Sequence, residues 1–105
     1  MDNYVTRIKG ENMNQRVRCH VRISGVVQGV CYRMETRRAA ENFGVKGWVK
    51  NQSDGTVEAV FEGTQDAVDQ IINWCYSGPK HASVTDIVKT WEDPSESYQS
   101  FDIIY

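Results

Sequence analysis

The sequence predicts an α+β sandwich in which two helices cover one face of an antiparallel sheet. Segments with two-residue alternation and segments with helical periodicity follow one another as β-α-β-β-α-β, and a short apolar segment ends the chain. The 105 residues are enough for one hydrophobic core and too few for two. Hydrophobic residues make up 40% of the chain and aromatic residues 10%, as in an ordinary folded domain. We therefore expect a single domain.

The pattern begins with a strand and a helix. Residues 17–24 alternate between apolar and polar side chains. The apolar side chains, which would face the helices, are Val17, Cys19, Val21 and Ile23. The polar side chains, which would lie on the open face of the sheet, are Arg18, His20, Arg22 and Ser24. Residues 32–43 are predicted to be helical because their apolar members share one helical face, namely Tyr32, Ala39, Ala40 and Phe43. Gly44 follows as a C-terminal stop.

Two strands and a turn come next. Residues 46–51 form a short predicted strand that carries Trp48 and Val49, with Trp48 expected in or near the core. Residues 51–55 contain an Asp-Gly pair, which is typical of a tight turn. Residues 56–63 alternate again, with one face formed by Val57, Ala59 and Phe61.

The second half of the pattern repeats a helix and a strand. Thr64 is the predicted N-cap of a helix whose apolar stripe is Val68, Ile71, Ile72 and Cys75, and residues 77–79 end it. Residues 84–91 are a predicted strand with a bulge at 86–88, residues 94–100 a loop, and residues 101–105 a terminal strand. This order is that of the split βαβ, or ferredoxin-like, sandwich.

The N-terminal segment, the apolar runs and the cysteines indicate where in the cell we expect the protein. Residues 1–16 are polar and lack periodicity, so we predict a flexible leader there and a folded domain over 17–105. No apolar run approaches the roughly 20 residues that cross a bilayer, and no secretory signal is present. Three cysteines without metal-like spacing indicate free thiols in a reducing compartment; they are Cys19, Cys31 and Cys75. The cytoplasm is the expected location.

Charge is distributed unevenly along the chain, although its net value is only −2. Residues 17–50 carry seven basic side chains against two acids, whereas residues 52–105 carry two lysines against ten acids. The basic excess therefore surrounds the first glycine loop, where it would attract a small anion. The acidic second half would repel a long polyanion, so we do not expect nucleic acid as a partner.

The loop that joins the first strand to the first helix has the properties of an anion site. Residues 24–33, SGVVQGVCYR, place two glycines before a helix that has Arg33 in its first turn. Such a loop gathers unpaired backbone N–H groups, the positive end of a helix dipole and a guanidinium, which together suit a tetrahedral dianion such as phosphate or sulfate. The Gly-Lys-Ser/Thr ending of a nucleotide loop is missing, as is a cluster of metal-binding carboxylates.

Two motifs together resemble the signature of the acylphosphatases: residues 25–33, GVVQGVCYR, and residues 47–58, GWVKNQSDGTVE. The resemblance covers about residues 17–105 and departs at Val26, where the family usually has arginine. It implies hydrolysis of the carboxyl–phosphate bond of acyl phosphates to carboxylate and inorganic phosphate, with no metal or other cofactor. The small acyl-phosphate substrate and inorganic phosphate or sulfate are then the expected ligands.

The resemblance also implies the roles of individual residues. In the family, the first motif ends in the arginine that binds phosphate, and the second carries the asparagine that holds the attacking water; position by position these are Arg33 and Asn51. The phosphate would lie against the backbone N–H groups of Gln28, Gly29, Val30, Cys31 and Tyr32, with Gly29 suited to a positive φ. A carboxylate leaving group has a conjugate acid with a pKa of roughly 4, so the reaction requires no general acid.

Other reactive side chains are weaker candidates for catalysis. Cys31 precedes Arg33 by two residues, whereas a phosphocysteine mechanism needs the Cys-x₅-Arg spacing of a phosphatase loop. No sequence pattern pairs His20 or His81 with a plausible nucleophile, and we expect both at the surface.

Two other functions remain as alternatives. The first is a non-enzymatic anion-binding module, because domains resembling acylphosphatases also occur inside larger carbamoyl-transferring maturation proteins. The second is an RNA-binding domain with the same sheet topology, which the missing aromatic pair on the central strands and the acidic second half both disfavour. We expect a monomer that binds neither nucleic acid nor membrane.

Overall fold

A computed structural model describes residues 15–95 and 98–105 of the chain. Its elements follow the predicted order: β1 Arg16–Val26, α1 Tyr32–Phe43, β2 Lys46–Asn51, β3 Val57–Thr64, α2 Gln65–Ser77, β4 Ser83–Glu92 and β5 Phe101–Ile104. Most of the predicted leader, residues 1–14, lies outside the described residues, and Arg16 already belongs to β1. Within the described ranges, neither helix combines the length and apolar character needed to cross a membrane.

The five strands form one sheet in the order β4-β1-β3-β2-β5. The first four pair antiparallel, as predicted, but β5 pairs parallel to β2, so the sheet is mixed rather than wholly antiparallel. The reason is the path of the chain. Strands β4 and β5 lie at opposite edges of the sheet, so the chain crosses the sheet between them, and β5 then runs in the same direction as its neighbour β2. This path places the C-terminal residues next to the end of β2.

Both helices pack on one face of the sheet, and the core lies between them and the strands. Cys19, Val21 and Ile23 on β1 are buried beneath the helices, which confirms the predicted parity of that strand. The predicted helical stripes are confirmed too, and α1 also buries Thr36, whose hydroxyl donates to the Tyr32 carbonyl at 2.7 Å. Gly44 ends α1 with a φ of 77°, as the sequence indicated.

The open face of the sheet is partly covered, which alternation alone did not predict. Val60 and Glu62 on β3 are buried on the side away from the helices. The segment after β4 lies over them, where the Ser95 N–H donates to Glu62 Oε1 at 3.1 Å. Trp48 was expected in or near the core; it lies instead half-buried on this same face, where its indole N–H donates to the Tyr98 hydroxyl at 3.3 Å.

A bulge where β1 pairs with β4 directs the chain into the loop before α1. Ser24 pairs with Asp86 and Gly25 pairs with Val84, so Thr85 is the extra residue. The predicted position, 86–88, was therefore wrong by a few residues, because alternation marks a disturbed strand without locating the unpaired residue. Gly25 has a φ of +124°, and a Cβ there would lie 2.1 Å from the Ser83 carbonyl oxygen, so the bulge requires glycine.

Candidate active site

Helix α1 begins with a left-handed residue and without a side-chain cap. Cys31 occupies the N-cap position with φ 63° and ψ 25°, and its side chain makes no capping hydrogen bond. Gly29, two residues earlier, has a φ of 75°, which confirms the positive φ expected there. A left-handed residue other than glycine costs about 1 kcal/mol or more, so the loop adopts this shape against the local preference of Cys31.

The amides of this loop have no protein partner among the described residues. The first helix-type bond runs from Glu35 N to the Cys31 carbonyl at 3.1 Å, and none of the backbone N–H groups of residues 28–33 donates to an acceptor within 15–95 and 98–105. Such consecutive free N–H groups at the positive end of a helix dipole form a concave anion site. The geometry fits a phosphoryl group.

A cavity of about 330 Å³ opens in front of these amides. It brings together most of the residues predicted for the site with others from α1 and the C-terminal segment. The cavity is lined by Val27, Gln28, Gly29, Cys31, Tyr32, Arg33, Met34, Asn51, Ile103 and Tyr105. Val30 is not part of the lining, because its side chain packs against the core. Val26, which replaces the usual family arginine, also lies outside the lining and is 56% exposed.

Arg33 lies half-buried at the wall of this cavity. Its guanidinium carbon is 4.9 Å from the centre of the Tyr105 ring, a distance at which the ring attracts the cation. No carboxylate among residues 15–95 and 98–105 pairs with Arg33, whereas Arg37 and Arg38 on the same helix do have acidic partners. The charge of Arg33 is therefore available to a ligand in the cavity.

Asn51 lies at the end of β2 and faces the same cavity. The pairing of Asn51 with Val57 on β3 fixes its backbone. Its side-chain oxygen Oδ1 is buried and has no hydrogen-bond partner within the described residues. A buried amide oxygen without a partner is costly, and a water molecule in the cavity would satisfy it.

The turn after Asn51 is held by hydrogen bonds from several directions. Gln52 N donates to the Thr56 carbonyl at 2.9 Å, and Thr56 N donates to Asp54 Oδ1 at 3.0 Å. Hydrogen bonds from Thr56 also lower the pKa of the Asp54 carboxyl. From the other side of the cavity, Gln28 Nε2 donates to the carbonyls of Gln52 at 2.8 Å and Thr56 at 2.9 Å.

Tyr32 anchors the start of α1 in the core. Its hydroxyl donates to the Cys75 carbonyl at 2.6 Å, so it is not free to act as an acid or base in the cavity. Burial raises the pKa of this phenol above its usual range. The ring fits closely against Gly78, where an added Cβ would lie 2.7 Å from Tyr32 Cε2. The Tyr32 side chain, predicted on the apolar face of α1, therefore lies in the core.

Several chemistry-bearing residues lie outside the site or play no visible part in it. His20 and His81 are absent from the cavity lining. The Cys31 thiol is exposed beside the loop, whereas Cys19 and Cys75 are buried. Among residues 15–95 and 98–105, no group of three His, Cys, Asp or Glu side chains is arranged as metal ligands.

Sequence reasoning missed four residues of the cavity, namely Val27, Met34, Ile103 and Tyr105. Met34 follows Arg33 on the exposed side of α1 and carries no signal of its own. Ile103 and Tyr105 reach the cavity only because β5 pairs with β2, and Ile103 lies opposite Val49 in that ladder. The apolar C-terminal segment predicted a strand but not its neighbour in the sheet.

Comparison with known proteins finds relatives that match most of the chain. The family profile described as acylphosphatase matches residues 19–103. The acylphosphatase of Chloroflexus aurantiacus is 54% identical over 89 residues, which are 85% of this chain and 97% of that protein. Among solved structures, the acylphosphatase from Bacillus subtilis has a TM-score of 0.82 at 32% identity and covers 85% of this chain and 99% of its own. The acylphosphatase from Coxiella burnetii has a TM-score of 0.81 at 36% identity, over 85% and 93% of the two chains.

Proposed function

Because this chain belongs to the acylphosphatase family, and so hydrolyses the carboxyl–phosphate bond of acyl phosphates, we propose that the cavity at the start of α1 is its active site. One observation carries the proposal: the same cavity gathers free loop amides, the unpaired guanidinium of Arg33 and the unpartnered Oδ1 of Asn51. Each of these groups lacks a hydrogen-bond partner or counter-ion within the described residues, and bound substrate with its attacking water would supply a partner to all three.

The phosphoryl group binds in the loop. The N–H groups of residues 28–32 donate to its oxygens, and the planar fork of Arg33 pairs with two of them at once. As phosphorus passes through the transition state, charge on these oxygens is stabilised by donors that are already in place. The ring of Tyr105 limits the side-chain motion of Arg33 by stacking on its guanidinium.

Asn51 holds the attacking water. Its Oδ1 accepts a hydrogen bond from the water and aims an oxygen lone pair at phosphorus, in line with the leaving carboxylate. The amide does not titrate, so it orients the water without removing its proton. The pairing of Asn51 with Val57 on β3 keeps this aim constant.

The leaving group explains why the site contains no general acid. A carboxylate departs as a stable anion, since its conjugate acid has a pKa of roughly 4. Binding, charge stabilisation and aimed water are then sufficient, and we propose that the reaction needs no metal ion. We also propose that the protein is cytoplasmic, which its free thiols support, and that it is a monomer.

Hydrolysis of benzoyl phosphate in excess EDTA tests the proposal. We expect full turnover, with inorganic phosphate as a competitive inhibitor. Loss of turnover in EDTA that Mg²⁺ restores would contradict the metal-free route. Absence of turnover under both conditions, together with phosphate protection against thermal unfolding, would favour the alternative of a non-enzymatic anion-binding module. Light scattering at two concentrations tests the monomer.

A further inference from the structure

One side chain of the cavity lining connects the two halves of the site. The carboxamide of Gln28, on the phosphate loop, donates both of its N–H bonds across the cavity wall, to Gln52 O at 2.8 Å and to Thr56 O at 2.9 Å. These carbonyls belong to the turn that directly follows Asn51. The Gln28 contacts therefore join the loop that would hold phosphate to the segment that would hold water.

The turn is supported from behind by a line of polar side chains on the open face of the sheet. The Gln52 carboxamide donates to Glu58 Oε1, and the other oxygen of Glu58 contacts His20 Nε2. His20 Nδ1 lies 3.6 Å from Glu92 Oε2, and Glu92 in turn pairs with Arg18 at 3.1 Å. The line thus runs from β4 through β1 and β3 to the residue next to Asn51.

Packing, in addition to hydrogen bonding, restricts the side chains of this line. The Glu58 side chain is only 18% exposed and that of His20 35% exposed. The His20 ring lies edge-on to the Trp48 ring, with 6.1 Å between their centres. Gln52 therefore has a partner whose position is fixed by the sheet rather than by solvent.

We propose that Gln28 is a positioning residue for the reaction, and that Glu58 and His20 assist it by fixing Gln52. This proposal rests on the proposed function, because it assigns these residues the task of keeping Asn51 at a constant distance from the bound phosphoryl group. In-line attack is sensitive to such distances, and a displacement of about 1 Å can cost about 100-fold in rate. Without the Gln28 donors, the Gln52 and Thr56 carbonyls each keep one backbone donor within the turn, Gly55 N and Gln52 N, but the two hydrogen bonds that tie the turn to the loop are lost.

The first test replaces Gln28 while keeping or removing its bulk. Gln28→Met keeps the length of the side chain and removes both donors, and Gln28→Ala removes both bulk and donors. We expect kcat for benzoyl phosphate to fall about tenfold or more in both variants, with a smaller change in the inhibition constant of inorganic phosphate. Gln70→Met is the matched control, since Gln70 donates only to Asp66 on the surface of α2.

The kcat-against-affinity split separates positioning from a merely structural role. Urea unfolding of each variant shows how much of any loss is due to stability. If Gln28→Met keeps kcat within twofold of the parent protein, or loses phosphate affinity while keeping kcat, the proposal is wrong. A variant that does not fold is replaced by Gln28→Asn, which keeps the donors but shortens their reach and should also lower kcat.

A double-mutant cycle tests the line behind the turn. Glu58→Met removes the acceptor of Gln52, and we expect a severalfold lower kcat. Because Gln28 and Glu58 act on the same turn without touching each other, their losses should not multiply in the double variant. His20→Gln, which keeps a donor for Glu58, should retain more activity than His20→Leu. If the losses multiply, or if the two His20 variants have equal activity, the proposal that Glu58 and His20 fix Gln52 is wrong.

Failure of this inference can be told apart from failure of the proposed site. If Arg33→Ala abolishes turnover while Gln28→Met does not affect it, the site is correct and the positioning role is wrong. If Arg33→Ala keeps its turnover, the site itself is misplaced and the Gln28 contacts are only structural.

Discussion

The two helices of this protein begin in different ways. Helix α2 follows Thr64, which is extended (φ −67°, ψ 155°) and accepts a hydrogen bond from Ala67 N at its side-chain oxygen, at 3.2 Å. Helix α1 follows Cys31, which is left-handed and caps nothing. Asp66 adds a negative charge to the first turn of α2. The first turn of α1 carries both Arg33 and Glu35, and Glu35 pairs with Arg38 at 3.7 Å. One start is completed by the chain itself, and the other is the start at which we propose that an anion binds.

This difference shows how a small domain separates stability from function. A capped start contributes about 1 kcal/mol to stability, and the left-handed Cys31 costs a similar amount. Phosphate at a free concentration of 100 times its dissociation constant would add about 2.7 kcal/mol to the free energy of unfolding. If phosphate binds there, as we propose, the ligand would stabilise the open start of α1.

The largest test of this comparison removes the charge that distinguishes the two starts. Arg33→Ala should lower kcat/KM about 1,000-fold, because the bound phosphate and the transition state would lose the only cationic side chain that the described residues place in the cavity lining. Arg33→Lys should recover only part of this loss, since an ammonium group does not reproduce the planar fork. Steady-state kinetics with benzoyl phosphate measure both.

The matched control is Arg37→Ala, one turn further along α1 and ion-paired with Glu41 at 3.5 Å. It should keep the kcat/KM of the parent protein within a few fold. Near-normal turnover in Arg33→Ala would mean that the open start of α1 is not where phosphate binds.

The next test separates water from phosphate. Asn51→Ala should lower kcat about 100-fold, because the attacking water loses its acceptor. The inhibition constant of inorganic phosphate should change little, since the loop and Arg33 remain intact. Inhibition kinetics measured beside turnover decide the point, and a variant with normal kcat but weakened phosphate inhibition would assign Asn51 to binding.

Alkaline pH should reveal the contrast between buried and exposed thiols. Burial raises the pKa of Cys19 to about 11 and that of Cys75 to about 12, from 9.0 in an unperturbed thiol. The folded state keeps these protons while the unfolded state releases them, so their stabilisation is complete below pH 9 and is lost as pH rises towards 11–12. Urea unfolding should show a loss of about 1 kcal/mol per thiol between pH 9 and 10. A constant free energy of unfolding over that range would contradict the burial.

The smallest effect is expected at the capped helix. Thr64→Ala should lower the free energy of unfolding by about 1 kcal/mol, because Ala67 N loses its acceptor. The value of kcat/KM should stay unchanged, since the cap of α2 is remote from the cavity lining. Urea unfolding and steady-state kinetics on the same preparation measure both, and a lowered kcat/KM in the folded variant would show that the two starts are coupled.

The sequence predicted the parts of this molecule that depend on neighbours along the chain. Both helices, the Gly44 stop, the Thr64 cap and the parity of β1 follow from local periodicity and capping chemistry, and the structure confirms them. The anion loop also has a local signal, because its glycines and Arg33 are contiguous.

The remaining features depend on residues far apart in the chain. The parallel pairing of β5, and with it Tyr105 at Arg33, follows from a crossover that periodicity does not encode. Gln28 has an ordinary place in the motif, and its bonds to Gln52 and Thr56 appear only when the loop and turn meet in space. His20 was expected to be a solvated surface residue, yet it contacts Glu58 across the sheet.

A crystal structure of the protein with inorganic phosphate tests the central claim most directly. We predict phosphate against the backbone N–H groups of residues 28–32, with the Arg33 guanidinium bound to two of its oxygens and a water between phosphorus and Asn51 Oδ1. Phosphate bound elsewhere, with the start of α1 filled only by solvent at saturating ligand, would contradict the account.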